Sequence, residues 1–297
     1  MNTDKHGSTD LERLPGALRS RRFVVVAVGA ILLSAAGIFL YDLLQPEPTW
    51  NGRRLSSWLN DLRTDTQQSR ANQDQAGTAV SAIGAKGIPL FLTWMNSGDS
   101  PVKKVVYGIL PRRLQLRWHP QWAYDRQWMA ATAFGFLGTN AESVVPELSR
   151  LLGSGKRGRF AAAALAGIGM PAFPVLTNLF LQQQTAEDSA YGLTGFGDMA
   201  MPILINALTI TNRTVHQAAF AGVHFSVYNQ YIWKGPDRSS RIVRSSMSFN
   251  QSNIGVAMAA HTGREKALLV QTLDQCLVST NQEVATAARL VKMQLGL

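Results

Sequence analysis

The sequence predicts an all-α protein: an α-solenoid of short helix pairs preceded by one transmembrane helix. Three observations predict it. A glycine and a proline recur at a fixed spacing inside similar apolar frames. Residues 23–41 form an uncharged apolar run. Nowhere does a convincing alternating segment of strand length occur. The 297 residues suffice for one large domain or two modest ones. Hydrophobic residues make up 46% and charged residues 16%, which excludes wholesale disorder, because disordered chains are charge-rich and apolar-poor.

Taken in chain order, residues 1–22 read as a polar, short, disordered tail. Phe23 to Tyr41 (FVVVAVGAILLSAAGIFLY) carries no charge, and Leu43 and Leu44 extend the apolar character past Asp42. At 1.5 Å per residue such a helix spans roughly 28 Å, the thickness of a bilayer's hydrocarbon core. Core helices of soluble domains rarely run so long without charge on any face. A cleaved signal peptide would fit Ser34-Ala35-Ala36, but apolar sequence continues beyond that point. The expectation is an uncleaved transmembrane helix over 23–44. Lys5, Arg13, Arg19, Arg21 and Arg22 precede it, and only Arg53 and Arg54 follow within a similar distance. The positive-inside rule therefore keeps the N-terminus cytoplasmic. It sends the rest of the chain to the extracytoplasmic side of a plasma or inner membrane.

Residues 45–54 are expected to be a linker, stiff and extended over Gln45 to Thr49 (QPEPT). The solenoid is expected over 55–297, opening with a short capping helix from Leu55 to Leu62. Its repeats show in three segments: Ala79 to Met95 (AVSAIGAKGIPLFLTWM), Ala164 to Phe180 (ALAGIGMPAFPVLTNLF) and Gly192 to Leu208 (GLTGFGDMAMPILINAL). Gly84, Gly169 and Gly197 each precede by five residues Pro89, Pro174 and Pro202. A fourth copy pairs Gly138 with Pro146 across a longer turn, and the prolines at 146, 174 and 202 are 28 apart. The physics of the unit is direct. An Ala-rich first helix, as over residues 159–168, ends at the glycine, which tolerates a left-handed backbone. The proline opens the second helix, where its missing N–H costs nothing. Phe91, Leu148, Leu176 and Leu204, two beyond each proline, should enter a shared core, and small Ala161 to Ala164 should let helices approach closely. One pair cannot bury its apolar face alone, so neighbours must stack. Weaker copies run over 215–228 and 253–273, the latter with Thr262 at the glycine position and Ala267 at the proline position. Residues 283–295 suit a terminal helix.

This frame around Gly84, Gly169 and Gly197 resembles the short HEAT-like repeats of the phycobilisome-lyase type, over roughly residues 71–297. The opening WNGRRLSSWL of Trp50 to Leu59 is similar to the segment preceding such repeats in bacterial membrane-anchored members. The resemblance implies a scaffold that binds another protein. Members commonly open each first helix with an acid, an apolar residue and an arginine. Here Gly158-Arg159 keeps only the arginine, and Val215-His216 and Val284-Ala285 lack it. The bilin-lyase activity of some relatives does not carry over, because the frame consists of packing residues.

Two segments interrupt the period. Pro101 to Trp128 carries Lys103, Lys104, Arg112, Arg113, Arg117 and Arg126 against Asp125, interleaved with Tyr107, Trp118, Trp122, Tyr124 and Trp128. Such a mixture suits anionic polymers. Its length, close to one period, favours a helix pair of the array with a degenerate turn, core tryptophans and solvated arginines. Tyr231 to Asn250, with Lys234, Arg238, Arg241 and Arg244, reads as a long loop, of the kind that either gathers on a binding face or merely solubilises. Together Arg112, Arg113, Arg117, Trp118, Trp122, Arg126, Lys234, Arg238, Arg241 and Arg244 form the candidate binding surface. The partner is another protein, with an anionic polymer or lipid headgroups as the alternative. Residues 45–297 hold 24 cations against 15 acids. Nucleic acid is disfavoured by the expected compartment.

Catalytic motifs point nowhere firm. Gly153-Ser-Gly155-Lys-Arg-Gly158 matches G-x-G-x-x-G, but a helical segment rather than a strand precedes it, so it reads as a turn between repeats. His216 and His224 are eight apart, roughly 12 Å along a helix, too far for one metal. Lone Cys276 excludes a disulfide framework and a cysteine-based metal site. Ser100-Pro-Val-Lys103 stands without the companions of an S-x-x-K enzyme. Glu187-Asp188 is placed at a helix start, where carboxylates meet the dipole. The chain is thus expected to be non-enzymatic, with no cofactor; a lyase-like enzyme is the remote alternative.

Overall fold

The structure is a computed structural model. It describes residues 47–63, 69–117, 122–228 and 264–297, with Val26, Gly29, Ala30, Leu33, Ser34 and Gly37 near the N-terminus. Those six are helical, and Val26 and Leu33 are exposed. The 1–22 tail, most of the 23–44 span, Trp118 and the 229–263 segment lie outside the described residues. The chain divides into two compact units: Met1–Pro46 with Gly98–Trp122, and Glu47–Ser97 with Ala123–Leu297.

The fold is all-α. In the larger unit the helices are α1 (Leu55–Asn60), α2 (Ser69–Ile83), α3 (Ile88–Met95), α6 (Ala123–Leu137), α7 (Val145–Ser149) and α8 (Lys156–Ile168). They continue with α9 (Phe173–Phe180), α10 (Ala186–Thr194), α11 (Met201–Asn206), α12 (Arg213–Tyr228), α13 (Glu265–Leu277) and α14 (Gln282–Leu295). The smaller unit holds α4 (Pro101–Ile109) and α5 (Arg112–Arg117).

The glycine and proline frame folds as its chemistry dictates. Gly84, Gly138, Gly169 and Gly197 have φ of 58°, 55°, 91° and 60°, a region that side chains with a Cβ rarely adopt. Short 3-10 turns follow, and Pro89, Pro146, Pro174 and Pro202 each open the next helix. The longer Gly138-to-Pro146 spacing is absorbed by a seven-residue 3-10 segment that bends at Ala141. Phe91, Leu148, Leu176 and Leu204 are all fully buried. Each such burial contributes on the order of 1.5–3 kcal/mol.

The first helices pack on one another in sequence: α2 on α6, α6 on α8, α8 on α10, α10 on α12 and α12 on α13; Ala267, expected at a proline position opening a second helix, instead lies inside α13, and α14 packs on the second helix α11. Covered on both sides, α8 is buried at almost every position from Phe160 to Ile168. Small residues set the spacing. A Cβ on Gly192 of α10 would stand 3.1 Å from the Ala162 carbonyl oxygen of α8 and 3.0 Å from the Leu176 side chain. Asparagines cap two helix starts. Asn212 Oδ1 accepts from the Thr214 and Val215 amides, and Asn281 Oδ1 from those of Glu283 and Val284.

Three findings differ from the sequence reading. The linker is not simply extended: Thr49–Trp50 and Arg53–Arg54 pair antiparallel across Asn51-Gly52, whose φ values are 50° and 73°. Positive φ at both central residues is the tight hairpin geometry that Asn-Gly favours. The hairpin seats α1. Arg53 binds the Ser57 carbonyl and the Asp61 carboxylate (2.6 Å), and its guanidinium lies 4.3 Å from the Trp58 ring centre. Trp58 Nε1 donates to the Trp50 carbonyl. Secondly, residues 98–122 fall in the smaller unit, while within the larger one helix α3 packs directly on α6 and Gln127 Nε2 donates to the Ser97 carbonyl at 2.8 Å. Thirdly, Asp74–Met95 is long and apolar enough to cross a membrane by length and composition. It is broken at Gly84, and it buries Ala79, Val80, Phe91, Trp94 and Met95 in the core.

Candidate binding surface

The expected basic surface is distributed between the two units. Arg112 and Arg113 are exposed at the start of α5. Arg117 ends that helix, and its side chain lies outside the described residues, as do Trp118, Lys234, Arg238, Arg241 and Arg244. Trp122 is half-buried in the smaller unit, edge-on to Tyr107 with ring centres 5.2 Å apart. Arg126 is half-buried in α6 of the larger unit. Of the tryptophans in this stretch, Trp128 is buried in the core.

Lys103 departs from the picture of solvated cations. It is buried, with its ammonium 5.5 Å from the Trp122 ring centre. An ammonium over an indole face keeps part of the electrostatic stabilisation that water would provide. Gln115 ties α5 back to α4: its Nε2 donates to the carbonyls of Tyr107 and Leu110.

A second polar cluster went unrecognised in the sequence. The turn before α8 places Gly153 and Gly155 at φ of 80° and 68°. Asp188 of α10 is buried, and its Oδ2 accepts from the Gly153 amide at 2.7 Å. A Cβ on Gly158 would sit 1.9 Å from that same oxygen. The G-x-G-x-x-G pattern is therefore a turn between helices, shaped to receive a carboxylate from α10. Beside it Arg159 pairs with Glu187, a rung between α8 and α10. Burial is the main force that raises the Asp188 carboxyl to about 6, with nearby Glu187 adding to it; the Gly153 amide and Arg159 oppose the rise. Lys156, Gln184 and these groups border a small cavity of about 350 Å³. The placement of Glu187-Asp188 in the first turn of a helix holds. The spacing gave no sign that one of the two turns inward.

Elsewhere, His216 Nδ1 lies 2.9 Å from the Leu208 carbonyl oxygen, and His224 Nδ1 lies 3.4 Å from the Thr272 hydroxyl. Burial lowers the His224 pKa. Cys276 is buried, and desolvation pushes its thiol up to about 12, so it stays protonated and unreactive. It borders a cavity of about 600 Å³ with Gly197, Met199, Met201, Ser226 and Val284. Among the described residues no group of three or more His, Cys, Asp or Glu side chains could hold a metal ion.

No family model matches the chain, and no curated protein matches it. Among solved structures, an engineered protein from the Northeast Structural Genomics Consortium is similar at 18% identity. The match covers 82% of this chain and 96% of that chain, with a TM-score of 0.29. A score that low does not define a shared fold.

Proposed function

We propose that the chain is a non-enzymatic scaffold: a HEAT-like α-solenoid, anchored by the 23–44 span, that holds a protein partner at the extracytoplasmic membrane face. The observation that carries this reading is the four-fold recurrence of a left-handed glycine and a helix-opening proline. It accompanies first helices that pack one after another from α2 to α13. Stacked helix pairs of this kind present a continuous surface without needing a catalytic pocket. The frame residues are packing residues, and the polar cluster at Asp188 is accounted for by the turn it holds.

The test is in-membrane photocrosslinking of the full chain from probes at exposed positions along the array, with Leu181 and Met199 as the first sites. The expected outcome is one recurrent protein adduct from several adjacent positions. Turnover of a substrate by the purified chain, abolished by a single polar substitution, would overturn it.

A second reading, an anionic ligand on the basic surface, is favoured by exposed Arg112 and Arg113 and by the cationic excess of residues 45–297. Binding of that kind weakens steeply with salt. Affinity for polyanions that stays flat from low to high salt would remove it.

A further inference from the structure

Helix α4 is turned the wrong way for a soluble protein. At about 100° per residue its aliphatic side chains gather on one face. That face carries Val102, Val105 and Ile109, which are 54%, 58% and 54% exposed. The inward side instead holds Lys103, only 4% exposed, with Val106 and half-buried Tyr107. Leaving three β-branched aliphatics in water forgoes their burial free energy unless something apolar covers the stripe.

Its surroundings say what that cover is. Between Gly98 and Trp122 the chain carries Lys103, Lys104, Arg112, Arg113 and Arg117 against a single acid, Asp99. Lys104, Arg112 and Arg113 are exposed. An aliphatic stripe with cations beside and opposite it is the pattern of a helix lying in the headgroup region of an anionic bilayer. The compact unit that contains α4 also contains residues 1–46, and with them the apolar span of the sequence. Three aliphatic side chains fall far short of the roughly 800 Å² per partner that a stable protein interface buries. A helix already tethered beside a membrane needs no such area.

We infer that α4 is an interfacial helix, its Val102, Val105 and Ile109 stripe seated among the acyl chains of an anionic lipid surface. The inference rests on the membrane-anchored reading above, and it can fail separately from it. Membrane seating would orient the smaller unit on the bilayer, which an anchor alone leaves free to rotate.

Fluorescence depth measurement on the full chain tests this. Buried Cys276 resists labelling, so single reporters are introduced by Val105→Cys on the stripe and Lys104→Cys on the opposite face, with Ile109→Cys as a second stripe site. Each is labelled with an environment-sensitive dye. The protein is reconstituted in vesicles of phosphatidylglycerol with phosphatidylcholine, or of phosphatidylcholine alone. In the anionic vesicles the 105 and 109 reporters should be quenched by nitroxide-bearing lipids and protected several-fold from aqueous quencher. The 104 reporter should show the reverse. Stripe reporters open to water in both vesicles overturn the inference. So do reporters shielded from both quenchers, because a protein surface then covers the stripe. Flotation after alkaline carbonate reports the anchor separately. Retained protein with water-exposed reporters sinks the α4 inference alone. Stripped protein whose stripe reporters were lipid-quenched before the wash sinks the anchor alone.

Discussion

Gly158 has no room for a methyl group: Asp188 Oδ2 already occupies the place where a Cβ would go. Gly158→Ala should therefore push the carboxylate off the Gly153 amide and destabilise the chain by about 1–3 kcal/mol, read from denaturant unfolding. Asp188 itself predicts a pH dependence. Its folded value of about 6 lies above the ordinary aspartate value of 3.8. The folded state thus holds the proton more tightly than the unfolded one, so the stabilisation is complete below about pH 4. It is lost as the pH rises through 6. The full effect is about 3 kcal/mol at most. Asp188→Asn keeps an acceptor for the Gly153 amide and removes the charge. Its unfolding midpoint should lose the dependence between pH 4 and 6 and exceed that of the parent at pH 8. A midpoint in the parent that climbs across that window would contradict the burial argument.

Within one helix pair, position after the proline decides what a side chain is worth. Leu176, two residues past Pro174, is fully buried, whereas Leu181 just beyond the end of α9 is 57% exposed. Leu176→Ala should cost about 2–5 kcal/mol. Leu181→Ala should stay within about 0.5 kcal/mol. Thermal unfolding of the two variants side by side measures the difference, and equal losses would mean that the frame does not set the core. The glycine and proline signals were legible because each acts locally, through φ and through a missing N–H. The Asn51-Gly52 hairpin was equally legible, being the strongest short turn signal there is. Its flanking strands, two residues long and without alternation, carry no strand signal of their own.

At the scale of the whole molecule, residues 98–122 belong to a different compact unit from the helices that flank them in sequence. Helix α3 meets α6 directly, and Ser97 is joined to Gln127 by a hydrogen bond. Replacing Gly98–Trp122 with a short Gly/Ser linker should leave a single cooperative transition for the larger unit. Its helical circular dichroism should fall only by the share of α4 and α5. A broad or split transition would show that the insertion is part of the repeat stack. Contact between α3 and α6 could not be read from the sequence, where the insertion's length, close to one period, mimics a repeat.

The sequence by itself determined where helices stop and restart and which aliphatic positions enter the core, because those follow from backbone chemistry repeated along the chain. Only the tertiary structure decided that Asp188 and Lys103 turn inward, and that Val102, Val105 and Ile109 face out. Burial of a charge depends on what a neighbouring element offers it, here the Gly153 amide in one case and the Trp122 ring in the other. Such partners lie across space from the residue they satisfy, and no local spacing records them.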